Sequence, residues 1–169
     1  MLSGVRKAKR RAAPHVALLG DSVFDNAAYT GREPDVVNHL GGLLPEGWRA
    51  SLLAVDGSRT GDLAPQLAEV PADATHLVLS IGGNDVLGHI DLLDTPVDST
   101  AEALTLFGRR AAAFESAYRA AVEATLALGR PTAVCTIYNG NFDPSEAGLA
   151  RVALTIFNDA VLRIAFEHR

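Results

Sequence analysis

The sequence predicts a single α/β domain of three layers, α/β/α, built around a mostly parallel sheet. Three observations carry this reading. Short apolar, β-compatible stretches alternate with longer segments whose apolar residues recur at helical spacing, the pattern of strand–helix–strand units. The first three strand candidates each run into a small polar loop that bears glycine. The 169 residues contain no internal repeat, low-complexity tract or interdomain linker, and that length fits one domain burying roughly two thirds of its unfolded surface.

The first strand candidate is residues 15–19, HVALL, apolar enough to be buried on both faces of a parallel sheet. It ends in Gly20-Asp21-Ser22, where glycine allows a sharp turn. A polar loop with Gly31 and Pro34 follows, then a short helix over residues 35–44 stopped near Pro45. Residues 49–55, RASLLAV, form the second strand, which runs into Asp56-Gly57-Ser58. Asp62 is placed to cap a helix from Leu63 to about Val70, with Pro65 tolerated in its first turn. Residues 75–81, THLVLSI, form the third strand and end in Gly82-Gly83-Asn84-Asp85.

A long helix is expected from Ser99 to about Leu128. Ser99 and Glu102 open it as a capping box, Gly129 and Pro131 close it, and Gly108 marks a possible break. Residues 132–138 form a fourth strand. Asp143, Pro144 and Glu146 read as N-cap, N1 and N3 of a last helix. Its residues Leu149, Val152, Ala153, Ile156, Phe157, Ala160, Val161, Ile164 and Ala165 make a wide stripe expected to be buried. Successive parallel strands imply right-handed crossovers.

Composition narrows the function classes. With 48% hydrophobic and 21% charged residues the chain is not of the disordered type, and a net charge of −5 gives no reason to expect nucleic acid as a partner. The single cysteine, Cys135, excludes an internal disulfide and reads as a small buried hydrophobe; no metal site can be built on it, and no cofactor is expected. Residues 1–13 read as a solvated basic leader and residues 14–169 as the domain. The apolar stretch behind the basic run is too short for a secretory signal, and no stretch approaches the length of a membrane span, so a cytoplasmic location is expected. Phosphate binding is the usual rival for glycine loops in such folds, yet neither G-x-G-x-x-G nor G-x-x-x-x-G-K-[ST] follows a strand.

Open parallel sheets bind ligands at the carboxyl edges of their strands, and Ser22 sits there. Its hydroxyl is a candidate nucleophile, and Gly-Asp-Ser is equally a good turn or helix cap. Gly57 is otherwise a turn glycine and Asn84 an Asx-turn residue. Asp21, Asp56 and Asp85 are assigned to fixing loops.

Taken in order, Gly20-Asp21-Ser22, Gly57 and Gly82-Gly83-Asn84-Asp85 resemble the motifs of the SGNH hydrolases, also called GDSL-type esterases and lipases; the likeness extends over residues 16–167. The continuation Val23-Phe24-Asp25-Asn26 is similar to that of GDSL lipases. The resemblance implies a flavodoxin-like sheet and a small-molecule ester substrate. It also implies Ser22 as nucleophile, with an oxyanion hole formed by the backbone N–H groups of Ser22 and Gly57 and the side-chain amide of Asn84. Three preorganised donors on one oxygen stabilise a tetrahedral intermediate by several kcal/mol.

One part of the pattern is missing. The family takes its base from a late D-x-x-H motif after a fifth strand, and this sequence reaches Arg169 without either. The fifth strand is therefore expected to be absent and the domain C-terminally incomplete, with a fragment of an ordinary hydrolase the favoured explanation and a base-less homologue the other. The one Asp-x-x-His, Asp73 to His76, precedes the third strand and belongs at the edge opposite Ser22. His15 and His168 fall on that wrong side and His39 on a sheet face, which leaves His89 as the histidine of the Ser22 edge. The rival functions are a non-catalytic binding domain and, by fold analogy alone, a flavodoxin-like phosphate or nucleotide binder. Substrate pockets are expected from residues 24–33 and 87–98, where Val86, Leu87, Ile90, Leu92 and Leu93 suggest either an apolar wall or a loop anchor. Oligomeric state is not readable.

Overall fold

The computed structural model describes residues 13–169, so the basic run read as a leader lies outside the described residues apart from Ala13. Four strands, β1 (His15–Gly20), β2 (Arg49–Leu52), β3 (His76–Ser80) and β4 (Thr132–Val134), form one sheet in the order β2-β1-β3-β4. Every pairing is parallel, with Leu18 level with Leu52 and Val78, and Leu79 level with Val134. β1 is buried along its whole length because it is central and covered on both faces, as its unbroken apolar run requires.

Side chains alternate between the two faces. Ala17, Leu19, Leu77 and Leu79 point to one side, where α2 (Leu63–Ala68), α4 (Thr100–Leu126) and α5 (Pro144–Glu167) supply Leu63, Phe114, Tyr118, Val122, Phe157, Val161 and Ile164. Val16 and Leu18 point to the other, onto Phe24, Ala54 and α1 (Val36–Leu43). On that second face β4 is open, and Ala133, level with Val78, is exposed. The three-layer α/β/α fold is thus present, with four parallel strands and no fifth among the described residues.

Several elements differ in detail from the sequence reading. β4 stops at Val134 rather than at residue 138, because beyond it Asn158 of α5 takes both backbone groups of Ile137, at 2.8 and 2.9 Å. Asp62 is the N-cap residue of α2, as expected, but its side chain makes no cap bond to that helix. Its carboxylate accepts the Arg59 N–H at 2.9 Å, closing a one-turn 3-10 helix over Thr60–Asp62. Gly108 leaves α4 unbroken; the Ser99 hydroxyl caps that helix at the Glu102 N–H, while Glu102 reaches the Asp98 N–H instead of that of Ser99. The stripe on α5 is buried only in its second half: Phe157, Ala160, Val161 and Ile164 pack on α4, but Leu149 and Val152 are exposed. Arg163 and Arg119 tie the two helices side by side through Glu115 and Glu167.

At the edge where the strands begin, His15 is 1% exposed and bridges two elements. Its Nδ1 lies 3.1 Å from Asp73 Oδ1 and its Nε2 2.7 Å from Ser51 Oγ. With a carboxylate at Nδ1, that nitrogen carries the hydrogen and Nε2 accepts the serine hydroxyl. Asp73 is already neutralised by Arg49, so burial, then the nearby positive charge of Arg49, holds the imidazole below its ordinary value near 6.5. The unfolded chain therefore binds this proton more readily than the folded one, so the contribution is complete above about pH 6.5 and shrinks as pH falls. Thermal unfolding is expected to move to lower temperature between pH 7 and 5, and His15→Gln to remove part of that slope. An unchanged slope in the variant would show that His15 is not the titrating group.

Candidate active site

The three strand-end loops meet at the carboxyl rim of β1 and β3. The Asp21 N–H donates to the Ser80 carbonyl at 3.0 Å, and the Asp21 carbonyl accepts from Phe24 and Asp25, both at 3.1 Å, so Ser22 rides on a tight helical turn. The Asp21 carboxylate accepts the Val23 N–H at 3.1 Å. Burial raises the Asp21 carboxyl, the N–H groups of Val23 and Gly83 oppose that, and the negative Asp85 and Asp56 add to it. Within this turn the Ser22 N–H is the one left without an acceptor among the described residues.

Gly57 occupies the turn from Val55 to Ser58, whose N–H donates to the Val55 carbonyl at 3.1 Å, and its φ of +79° explains the glycine. A Cβ there would meet nothing within 4 Å, so conformation rather than crowding by the protein selects it. Its own N–H also lacks an acceptor among the described residues. Asp25 steadies this turn through the Asp56 N–H at 2.9 Å, and Asp56 in turn accepts the Tyr29 hydroxyl at 2.6 Å.

Asn84 lies not in a loop but in the first turn of α3 (Gly83–Leu87), entered through Gly82 at φ +114°. Its Nδ2 donates to the Ser58 carbonyl at 3.0 Å, which leaves the second amide hydrogen for another partner. Asp85 next to it accepts both the N–H and the hydroxyl of Thr60, at 3.0 and 2.7 Å, locking the loop after β2 to the loop after β3. The aspartates thus fix loops, as read from the sequence.

Ser22 and Asn84 line one small hollow of about 50 Å³ together with Ser80, Thr136 and Tyr138. Gly57 is not part of its lining; it stands one residue before Ser58, the group that holds Asn84. A larger cavity of about 500 Å³ adjoins the hollow, sharing Gly83, Leu87, Ile137 and Tyr138 with it, and His89 lines that cavity. Asp73 and His76 are at the other end of the sheet: Asp73 pairs with His15 and Arg49, while His76 stacks on Trp48 with ring centroids 5.6 Å apart. Cys135, expected to be buried, is only half-buried; burial, then the negative Asp21, pushes its thiol up. Among the described residues no group of three or more His, Cys, Asp or Glu could hold a metal ion, and no helix is long and apolar enough to cross a membrane.

One supporting residue escaped the sequence reading. Gln66 of α2 is buried, accepts the Gly20 N–H at 2.8 Å, donates to the Gly20 carbonyl at 2.8 Å and to Ser58 Oγ at 3.2 Å. Its signal was a polar residue on the apolar side of a helix marked by Leu63, Leu67 and Val70.

Solved structures share this architecture. An extracellular lipase from Streptomyces rimosus aligns with TM-score 0.59 at 20% identity, over 92% of this chain and 77% of that one. A phospholipase A1 from Streptomyces albidoflavus gives 0.61 at 18%, over 93% and 77%, and an acetyl xylan esterase from Geobacillus stearothermophilus 0.58 at 22%, over 92% and 73%. At these identities the likeness is one of fold. Curated proteins offer no match to the sequence. The model of the GDSL-like Lipase/Acylhydrolase family matches residues 18–169, the stretch that carries the strand-end rim just described, and the chain belongs to that family.

Proposed function

We propose that the protein is a serine hydrolase of carboxylic esters that works through an acyl-enzyme at Ser22. The observation that supports this best is the placement of Ser22 and Asn84 in one hollow, with the Ser22 N–H left without a protein acceptor among the described residues; the Gly57 N–H, on the neighbouring loop outside the lining, likewise has none. In this reading the Ser22 oxygen bonds to the acyl carbon, and the charge that develops on the carbonyl oxygen meets those N–H groups and the Asn84 amide. The ester C–O bond then breaks and the alcohol leaves with the serine proton. Water adds to the acyl-enzyme, the acid departs and the serine hydroxyl is restored.

In this reading residues 14–169 act as one domain. Its partner is a small-molecule ester. A second reading, a base-less domain that binds without turnover, draws on the location of Asp73 and His76 at the edge away from Ser22.

A short organophosphonate is expected to label Ser22, identified by peptide mapping, and Ser22→Ala to lose both the label and turnover of a short-chain activated ester above background. Equal ester rates in the two proteins with no serine label would rule out the proposal in favour of the binding domain.

A further inference from the structure

We infer that Ser51 is a second nucleophilic site, at the amino edge of the sheet, where His15 as base and Asp73 as its partner direct one short acyl group from a small activated ester onto the Ser51 hydroxyl. The inference does not rest on Ser22. His15 and Arg49 are level in the β1–β2 pairing and Ser51 is level with Ala17, so the three side chains leave the same face of the sheet. The loop between α2 and β3 brings Asp73 to them. Ser51 Oγ lies 2.7 Å from His15 Nε2, and Nδ1 of the same ring lies 3.1 Å from Asp73 Oδ1. These are the separations of a serine activated through an imidazole whose orientation a carboxylate fixes, an arrangement recognised by geometry rather than by order in the chain. With the ring hydrogen on Nδ1, Nε2 offers its lone pair to the hydroxyl proton. Burial, then the charge of Arg49, keeps the ring neutral at pH 7.

Ser51 is half-buried while the base behind it is closed to solvent, so an acyl donor meets the hydroxyl rather than the imidazole. Among the described residues β2 is an edge strand that pairs with β1 alone. The Arg49 N–H donates to the Pro14 carbonyl at 3.1 Å and the Leu53 N–H to that of Leu18 at 2.9 Å, which by alternation directs the Leu52 N–H to the open side. That donor, one residue after the nucleophile, is available to the carbonyl oxygen of a group arriving at Ser51. In the step, the Ser51 oxygen bonds to the acyl carbon as its proton passes to His15 Nε2. The bond from that carbon to the leaving oxygen breaks, and the leaving group takes the proton. Release of the acyl group would need a water held against Nε2, which the acyl-serine itself covers, so the adduct persists as a single modification per chain.

The test uses the full chain carrying Ser22→Ala, so that failure here and failure of the Ser22 reading are separate results. Para-nitrophenyl acetate is expected to leave one acetyl group on Ser51, located by peptide mapping and absent after Ser51→Ala. Removing the base with His15→Gln is expected to slow this acetylation on the order of 10²-fold. Asp73→Asn is expected to slow it at least about tenfold, because an amide N–H facing Nδ1 moves the ring hydrogen to Nε2. Arg49→Gln is expected to quicken it about threefold or more: Arg49 competes with the imidazolium for the Asp73 carboxylate, and freeing that charge favours the protonated ring that forms in the step. A role confined to holding β1, β2 and the loop together would move thermal stability and leave the acetylation rate alone. Circular dichroism shows which variants fold; should His15→Gln not fold, Asp73→Asn decides, since Asp73 is half exposed. No acetyl group on Ser51, an unchanged rate in the folded variants of His15 and Asp73, or a slower one in Arg49→Gln overturns the assignment.

Discussion

Gly20→Ala is expected to unfold the protein. A Cβ at this position would lie 1.7 Å from the Ser80 carbonyl oxygen and 2.5 Å from its carbon, on a backbone already at φ +132°. Neither partner can retreat. Gly20 and Ser80 are level in the β1–β3 pairing, the Ser80 carbonyl accepts the Asp21 N–H at 3.0 Å, and Gln66 grips both backbone groups of Gly20 from α2. Separating the strands would open the centre of the core, where Leu19 and Leu79 are fully buried. A cost of about 4 kcal/mol or more follows from strain combined with lost packing, against a total of about 5–15 kcal/mol for an ordinary domain. Urea unfolding followed by circular dichroism measures it. Gly108→Ala is the control: a Cβ there meets nothing within 4 Å, and in a helix interior alanine is favoured by about 1 kcal/mol. A Gly20→Ala protein that unfolds at the wild-type urea concentration would mean that the strand ends do not approach as closely as described.

Asn84→Ala is expected to lower kcat on activated esters on the order of 10²-fold with little change in KM, the signature of a donor that acts on the transition state. The alternative role is structural, since the amide also holds the Ser58 carbonyl. That single bond is worth about 1 kcal/mol, and losing it would show as a lower Tm without a selective fall in kcat. Asn84→Asp separates the two. It keeps the size but replaces donors by a negative charge where negative charge develops, so kcat should fall further than in Asn84→Ala. Steady-state kinetics of both variants beside their Tm values settle the matter, and variants matching the wild-type kcat would remove Asn84 from the oxyanion site.

Much of the fold was legible because its signals are local. The nearly all-apolar run of residues 15–19 suits a strand covered on both faces, which it forms, and the glycines at positions 20, 57 and 82 do adopt the positive φ that strand-end turns require. The placement of Asp73 and His76 away from Ser22 followed from topology alone, since parallel strands put their starts on one side and their ends on the other. What escaped were features set by partners distant in the chain. Asn158 could not be seen to shorten β4, nor Gln66 to clasp Gly20, because neither residue carries a local pattern that names its acceptor. The same holds for Leu149 and Val152, whose helical spacing matched that of the buried half of α5 although both are left more than half exposed.

The order of strands and helices, the edge of the sheet that carries Ser22, and the residue types available for chemistry were determined by sequence, through periodicity and turn propensity that act over a few residues. Tertiary structure alone decided that Ser22 and Asn84 share a hollow, that Gly57 stands just outside its lining, and that an apolar cavity adjoins it. Those relations depend on how loops from separate strands dock against one another, and docking is governed by shape and hydrogen bonding across the whole rim rather than by any stretch read alone.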